Sequence, residues 1–273
     1  TAVGQGAGVI SPSQADSIRK TAKAVSRSAE EFTPEQEYYI GRSVGAVVLG
    51  KYPAYDQSAL NAYLNLIGQT LAQASDLPAI FGGYHFLALN SNEINAFATP
   101  SGLVFVTRGL LRCCRNEDAL AAVLAHEIGH IQLRHGMEAI EKARVTEALT
   151  TIAVEGAKNL GSRQLASLTN TFGGAITDIT GTLITKGYSR SSEYGADQAA
   201  VKLLRRVGYD PNGLVEMLTV MKQNLKAGGL DFAKTHPAPE DRVKEIQNQG
   251  LAYKAISAPA SRQARFVKAL GSL

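Results

Sequence analysis

Two histidines and a glutamate lie close together in the segment LAAVLAHEIGHIQLRHG. His126 and His130 are four residues apart, and Glu127 directly follows the first histidine. On a helix, residues with this spacing lie about 40° apart on one face and one turn apart in height. Two imidazoles in that arrangement can both bind one Zn²⁺ ion at about 2.0–2.1 Å. Glu127 would lie beside the pair and could accept a proton from water, so the pattern predicts metal-assisted hydrolysis.

The flanking residues predict that these side chains lie on one helix with an apolar face. Asn116 is a favourable N-cap and Gly136 a natural stop, which gives a helix of about 19 residues. Glu127 falls within the apolar stripe of this helix. An unpaired carboxylate there would cost several kcal/mol or take up a proton, and a metal ion would compensate for it. A buried glutamate between two structural histidines is the less favoured interpretation.

A zinc site needs a third protein ligand, and His135 is the nearest candidate in the sequence. On a continuous helix it would lie about 180° from His126 and point away from the metal. Its spacing also differs from the HExxHxxGxxH pattern of metzincins. We therefore expect His135 to be a cation near the C-terminus of the helix rather than a ligand.

A glutamate on a second helix is the better candidate for the third ligand. In YSRSSEYGADQ, Glu193 precedes Asp197 by four residues, so both would lie on one helical face. Glu193 could bind the metal while Asp197 accepts the second N–H of a ligand histidine. Ser191 or Ser192 could cap this helix, and Gly208 could end it. The alternative is an ordinary solvated acidic pair.

Three motifs, HEIGHIQLRHG, SSEYGAD and THPAPEDR, occur in this order after NAFATPSGLVFVTRGLL. Together they resemble the gluzincin zinc metallopeptidases of the HtpX and CAAX-prenyl-protease family. The resemblance covers roughly residues 32–249 and is strongest to the soluble cell-envelope branch that includes the BepA-like proteases. It implies one zinc ion per chain, held by His126, His130 and Glu193. It also implies that Glu127 is the general base and that Asp197 supports the ligands.

The resemblance further places a His-Pro loop and an arginine near the metal, which correspond to His236, Pro237 and Arg242. We expect His236 to occupy or guard the fourth position of the metal, and His236 and Arg242 to assist catalysis. The segment between the two zinc motifs, residues 144–188, is either a lid over the cleft or a packing insertion.

The expected fold is mainly α with a small β-sheet, an α+β gluzincin arrangement around the HExxH helix. YHFLAL and LVFVT alternate or are rich in β-branched and aromatic residues, so they predict strands. Family members present an edge strand of the sheet to substrate, which corresponds here to the region around residues 95–106. Asn95, Ala96, Phe97 and Ala98 are therefore the candidate substrate-binding residues.

The composition argues against a membrane-spanning or nucleic-acid-binding protein. The longest uncharged, weakly polar stretch is residues 164–177, shorter than the about 20 apolar residues that a spanning helix needs. We therefore expect a soluble chain or peripheral association with an envelope membrane. The net charge of +4 is mild, and no aromatic residues alternate with the basic ones, so nucleic acid is not an expected partner.

We expect an N-terminal segment (residues 1–31), a metallopeptidase domain (32–250) and a C-terminal tail (251–273). The expected function is zinc-dependent endoproteolysis of extended, unfolded or misfolded polypeptides in envelope protein quality control. The alternative is a latent, protease-like chaperone or assembly factor with little hydrolytic activity. The chain starts at Thr1 without methionine, which is consistent with a removed signal sequence. The resemblance to the cell-envelope branch implies a location in the periplasm or cell envelope.

Overall fold

Helices dominate the structure, as expected from the sequence, and a small sheet lies beside them. The computed structural model describes residues 32–142, 177–178, 180–181, 184, 187–224, 237–248, 255–271 and 273. Its elements, in chain order, are α1 (Pro34–Lys51), α2 (Ser58–Gln73), β1 (His85–Leu89), β2 (Ala96–Ala98), β3 (Leu103–Thr107), α3 (Arg108–Leu111), α4 (Glu117–Gln132), α5 (Arg190–Val207), α6 (Asn212–Asn224), α7 (Pro239–Asn248) and α8 (Ala260–Leu270).

The chain divides into two compact units. One contains residues 1–33 and 138–179, of which few are described, and the other contains residues 34–137 and 180–273. The second unit contains every element named above and all the predicted site residues. None of its described helices has the length and apolar character required to cross a membrane.

Helix α4 is the most buried helix of this unit, because other elements pack on several of its sides. Every residue from Glu117 to Ile131 is buried, and α4 contacts α2, α5, α6 and β2. Asn116 caps it as predicted, since its side-chain oxygen accepts from the amide of Ala119 at 2.8 Å. The apolar character of the whole segment, rather than of one stripe, therefore reflects burial all round.

Gly129 allows α5 to approach α4 closely. A Cβ atom at this position would lie 2.9 Å from the backbone oxygen of Ala196, so any larger residue would push the two helices apart. A glycine inside a helix is about 1 kcal/mol less favourable than alanine. In return, the close contact brings the first turns of α5, with Glu193, next to the histidines of α4.

The end of α4 differs from the prediction. We expected one helix up to Gly136, but α4 ends at Gln132 and Leu133 caps it. Arg134 then adopts a left-handed backbone conformation (φ 58°), and helical structure resumes over residues 135–142. Arginine is an unusual residue at a left-handed helix end, where glycine is preferred, so the sequence pointed to the wrong stop.

The two strands expected from YHFLAL and LVFVT form as β1 and β3, and β2 completes a three-stranded sheet in the order β1-β3-β2. β1 and β3 are parallel, whereas β2 and β3 are antiparallel. Side chains of α2 cover the outer edge of β1: Asn61 accepts from the amide of Ala88, and Asn65 accepts from the amide of Phe86 and donates to its carbonyl. β2 is the strand at the other edge.

Candidate metal centre

His126, His130 and Glu193 come together in the interior of the second unit. The Nε2 atoms of the histidines are 3.1 Å apart. The carboxylate of Glu193 lies 3.5 Å from each of them, with Oε2 towards His126 and Oε1 towards His130. A tetrahedral zinc ion with bonds of about 2.0–2.1 Å requires ligand atoms about 3.3 Å apart. The observed separations fit that requirement, and all three residues are buried.

The first turn of α5 is responsible for placing Glu193. Ser189, rather than Ser191 or Ser192, caps this helix and accepts from the amide of Ser192. Gly208 ends it in a left-handed conformation, as predicted. Glu193 and Asp197 are both buried, so the interpretation as a solvated acidic pair does not describe them.

Asp197 contacts His126 on the side of the ring away from Glu193. Its Oδ1 lies 3.0 Å from Nδ1 of His126. The same carboxylate accepts from Nε of Arg242 at 2.9 Å and from Nη2 at 2.5 Å. If Nε2 of His126 binds a metal, Nδ1 carries the proton and donates to Asp197, which fixes the orientation of the ring. Arg242 is 0% exposed and lies 4.0 Å from Glu193.

The charges of this cluster change the pKa values of their neighbours. Burial raises the pKa of Asp197, but the charge and hydrogen bonds of Arg242 outweigh it and lower the pKa to about 2. Burial and Arg242 lower the pKa of His126, but hydrogen bonds to Asp197 and Glu193 prevail and raise it to about 9. In the protein without metal, the carboxylates therefore favour a proton on His126, where a cation would otherwise bind.

Glu127 lies beside this cluster, at the wall of a small cavity. The pKa of its carboxyl group is raised to about 7, chiefly by burial. The charge of His126 opposes this increase, and the charge of Glu193 adds to it. The cavity, which we call the cleft, has a volume of about 40 Å³ and is bordered by residues 95–99, Glu127, His130 and Tyr188. The candidate base thus lies in the space where a reacting group could enter.

Strand β2 runs along the cleft. Asn95 and Thr99 pair with β3 through their backbone, and Phe97 is opposite Phe105 between them. Backbone groups in an antiparallel ladder point alternately to either side. Those of Ala96 and Ala98 therefore point away from β3, and both residues border the cleft. The amide of Ala96 donates to Oδ1 of Asn95 at 2.9 Å. Asn95 itself is only 1% exposed and donates through its backbone to Thr107.

His135 contradicts the prediction that it points away from the metal. The turn at Arg134 brings it back, and its Nδ1 lies 2.9 Å from Nδ1 of His130. His135 thus contacts the ring nitrogen of His130 that faces away from His126 and Glu193. Tyr188 was not a candidate at all, yet its ring stacks on His130 at 4.4 Å between centroids. No local pattern in the sequence indicates either contact, because both depend on how the chain turns at α4 and before α5.

Other predicted site residues can be located only in part. His236 lies outside the described residues, as does most of the segment 144–188. Arg242 is described, and it lies behind Asp197 and His126 rather than along the cleft. His85, which is on β1, is exposed, and its Nε2 lies 2.9 Å from the carbonyl oxygen of Gly82.

Comparison with known proteins gives a family match that spans most of this unit. A model of peptidase family M48 matches residues 58–249. The beta-barrel assembly-enhancing protease of Escherichia coli (strain K12) is 26% identical over 268 residues, 96% of this chain and 53% of that protein. The protein of the same name from Yersinia pestis is 28% identical over 240 residues, 86% of this chain and 48% of that protein.

A mitochondrial relative also matches. The mitochondrial metalloendopeptidase OMA1 of Schizosaccharomyces pombe is 35% identical over 156 residues, 56% of this chain and 42% of that protein. The chain thus spans about half the length of the curated relatives it matches. These matches confirm the resemblance that the three motifs indicated.

Proposed function

Because the chain belongs to peptidase family M48, we propose that it is a zinc-dependent endopeptidase that hydrolyses peptide bonds in extended or unfolded polypeptide segments. The observation that carries this proposal is the buried group of His126, His130 and Glu193, with Glu127 beside it at the wall of the cleft. In this proposal the three grouped residues hold the zinc ion.

The residues of the chain have separate tasks in the proposed reaction. When bound, zinc acts as a Lewis acid on the scissile carbonyl and on water. Glu127 takes a proton from the attacking water and later delivers it to the leaving amine. Asp197 orients His126, and Arg242 holds Asp197 in place. The carbonyl of Ala96 and the backbone of Ala98 pair with the substrate as an added strand, which requires an extended segment but little specific sequence.

The decisive experiment separates metal binding from hydrolysis. Glu127→Gln should retain zinc, measured by atomic absorption, but lose cleavage of unfolded casein by orders of magnitude, because glutamine cannot accept the proton. Cleavage by the wild-type chain should stop with a chelator and return with added zinc. Wild-type rates in the Glu127→Gln variant would contradict the role of Glu127, and chelator-resistant cleavage would contradict the role of the metal.

We keep two further roles as part of the proposal. His236 guards the fourth position of the zinc, so His236→Ala should cleave faster and less selectively, or more slowly if His236 also stabilises the developing negative charge. Unchanged rate, zinc affinity and self-cleavage would rule out both roles. Arg242 acts through Asp197, since its guanidinium is fully buried behind that residue, rather than through contact with the substrate.

The proposed setting is protein quality control in the cell envelope, with unfolded polypeptides as substrates. The name of the Escherichia coli relative, a beta-barrel assembly-enhancing protease, supports this setting. The same name favours one alternative, a latent assembly factor that binds clients and seldom cuts them. The alternative predicts that client proteins remain intact in the presence of the wild-type chain. It also predicts that the wild-type chain and Glu127→Gln keep these clients soluble equally well. Cell fractionation tests the location.

A further inference from the structure

A second cavity lies next to the cleft and shares part of its wall. It has a volume of about 150 Å³ and we call it the side cavity. Ala98, Thr99, His130 and Tyr188 border both spaces, so the ring of Tyr188 and the end of β2 are common walls. A chain segment bound along β2 would therefore pass directly from one cavity to the other.

The lining of the side cavity is chiefly apolar. Its walls include Leu77, Ile80, Phe81, Pro100 and Met137. Charge is present in Glu37 and Arg134, which also border the cavity and pair with each other at 2.5 Å. Because these two charges are paired, Glu37 and Arg134 do not offer an isolated charge to a charged side chain, and the other described lining residues carry no carboxylate, lysine or further arginine.

The volume of the side cavity limits which substrate side chains can fit into it. An apolar cavity of about 150 Å³ can hold a benzene ring. The volume therefore suits the side chain of phenylalanine, leucine or methionine and exceeds what alanine would fill. A tripeptide or a folded element would not fit.

The direction of β2 indicates which substrate residue enters. β2 runs from Ala96 to Ala98 along the cleft, and the chain continues through Thr99, Pro100 and Ser101 beside the side cavity. Antiparallel pairing is the slightly more stable way to add a strand. A substrate strand antiparallel to β2 has its N-terminal part beside the C-terminal end of β2. The side cavity then receives a residue on the N-terminal side of the scissile bond.

We propose that the side cavity is a specificity pocket that takes a large apolar side chain of the substrate, N-terminal to the cleaved bond. This inference rests on the proposed function. It defines the substrate class as unfolded polypeptide segments that expose aromatic or large aliphatic residues, which folded proteins normally bury.

Phe81 gives the best test, because it lines the side cavity and is 48% exposed, so that its replacement leaves the core intact. Mass spectrometry of cleaved, denatured casein should show Phe, Leu and Met enriched N-terminal to the cut, by about tenfold or more over Asp. Phe81→Asp should abolish most of this preference, whereas Phe81→Leu should retain it. Leu66→Asp is the matched control, since Leu66 is 60% exposed and lines neither cavity.

A binding measurement keeps this inference separate from the proposed function. The zinc-loaded Glu127→Gln variant is titrated with labelled Gly-Ser-Thr peptides that differ in one central residue, Phe or Asp. Tighter binding of the Phe peptide, lost on adding Phe81→Asp, supports the pocket even where the wild-type chain cleaves nothing. Equal binding of both peptides, an unchanged preference in Phe81→Asp, or enrichment only C-terminal to the cut would overturn it.

Discussion

The buried pair of Arg242 and Asp197 leads to a quantitative prediction about stability. Arg242 is 0% and Asp197 2% exposed, and two hydrogen bonds join them, at 2.9 and 2.5 Å. Arg242→Met keeps the volume and removes the charge, which leaves Asp197 buried with its main cation gone. Loss of one partner from a buried pair costs about 3–5 kcal/mol. That is a large part of the about 5–15 kcal/mol by which domains are stable.

The measurement is urea unfolding of the metal-free chain, followed by circular dichroism in the presence of a chelator. Arg206→Met is the matched control, because Arg206 also pairs with an aspartate, Asp76 at 2.7 Å, but at the surface. This control should lose far less stability, since water screens the pair. Should Arg242→Met fail to fold, Arg242→Lys replaces it, because lysine keeps the charge without the forked geometry. This variant should fold, but with a lower free energy of unfolding than the wild-type chain. Equal stability of Arg242→Met and Arg206→Met would refute the reasoning.

Three further predictions concern the ligands and the start of α4. Glu193→Ala should sharply lower zinc content after dialysis against a weak chelator, and equal content would mean that Glu193 is not a ligand. Asp197→Ala and His135→Ala should each weaken zinc binding about 10–100-fold in a competition titration, because each removes the partner of a ligand ring; unchanged affinity would make that contact incidental. Burial raises the pKa of Glu117, but hydrogen bonds from Arg265 and two tyrosines outweigh it and lower the pKa. Because its pKa is lower in the folded chain, ionised Glu117 stabilises the fold. This stabilisation is present above the unfolded pKa of about 4.3 and is lost as the pH falls through the lower folded pKa. Arg265→Gln should therefore lower the melting temperature at pH 7, and the deficit should shrink below about pH 4.3; a deficit independent of pH would exclude Glu117 as its origin.

Periodicity made the core of the site predictable. His126, Glu127 and His130 are separated by less than two helical turns, and so are Glu193 and Asp197. Spacing alone therefore determines which of these side chains share a face. The predicted cap at Asn116 was also local, and the structure confirms it. The pairing of α4 with α5 is not local, and it was inferred from the need for a third ligand and from family resemblance.

The contacts around the ligands were not predictable from spacing. His135 reaches His130 only because the chain turns at Arg134, a residue whose type gives no sign of a left-handed conformation. Tyr188 stacks on His130 because the chain enters α5 at that point. Arg242 meets Asp197 across 45 positions of sequence. Such contacts depend on tertiary packing, which overrides local preference.

The charges of the buried cluster explain why these partners belong together. With all three carboxyl groups ionised and both histidines neutral, Glu127, Glu193 and Asp197 would carry three negative charges and Arg242 one positive charge. The buried group would then have a net charge of −2. Uncompensated buried charge is unfavourable, and one divalent cation between His126, His130 and Glu193 would bring the group to neutrality. The residue that contacts His130 is His135, which adds no carboxylate to this balance, whereas a second carboxylate there would upset it. Arg242 therefore belongs to the candidate metal centre together with the proposed ligands, because without it one divalent ion could not neutralise the three carboxylates.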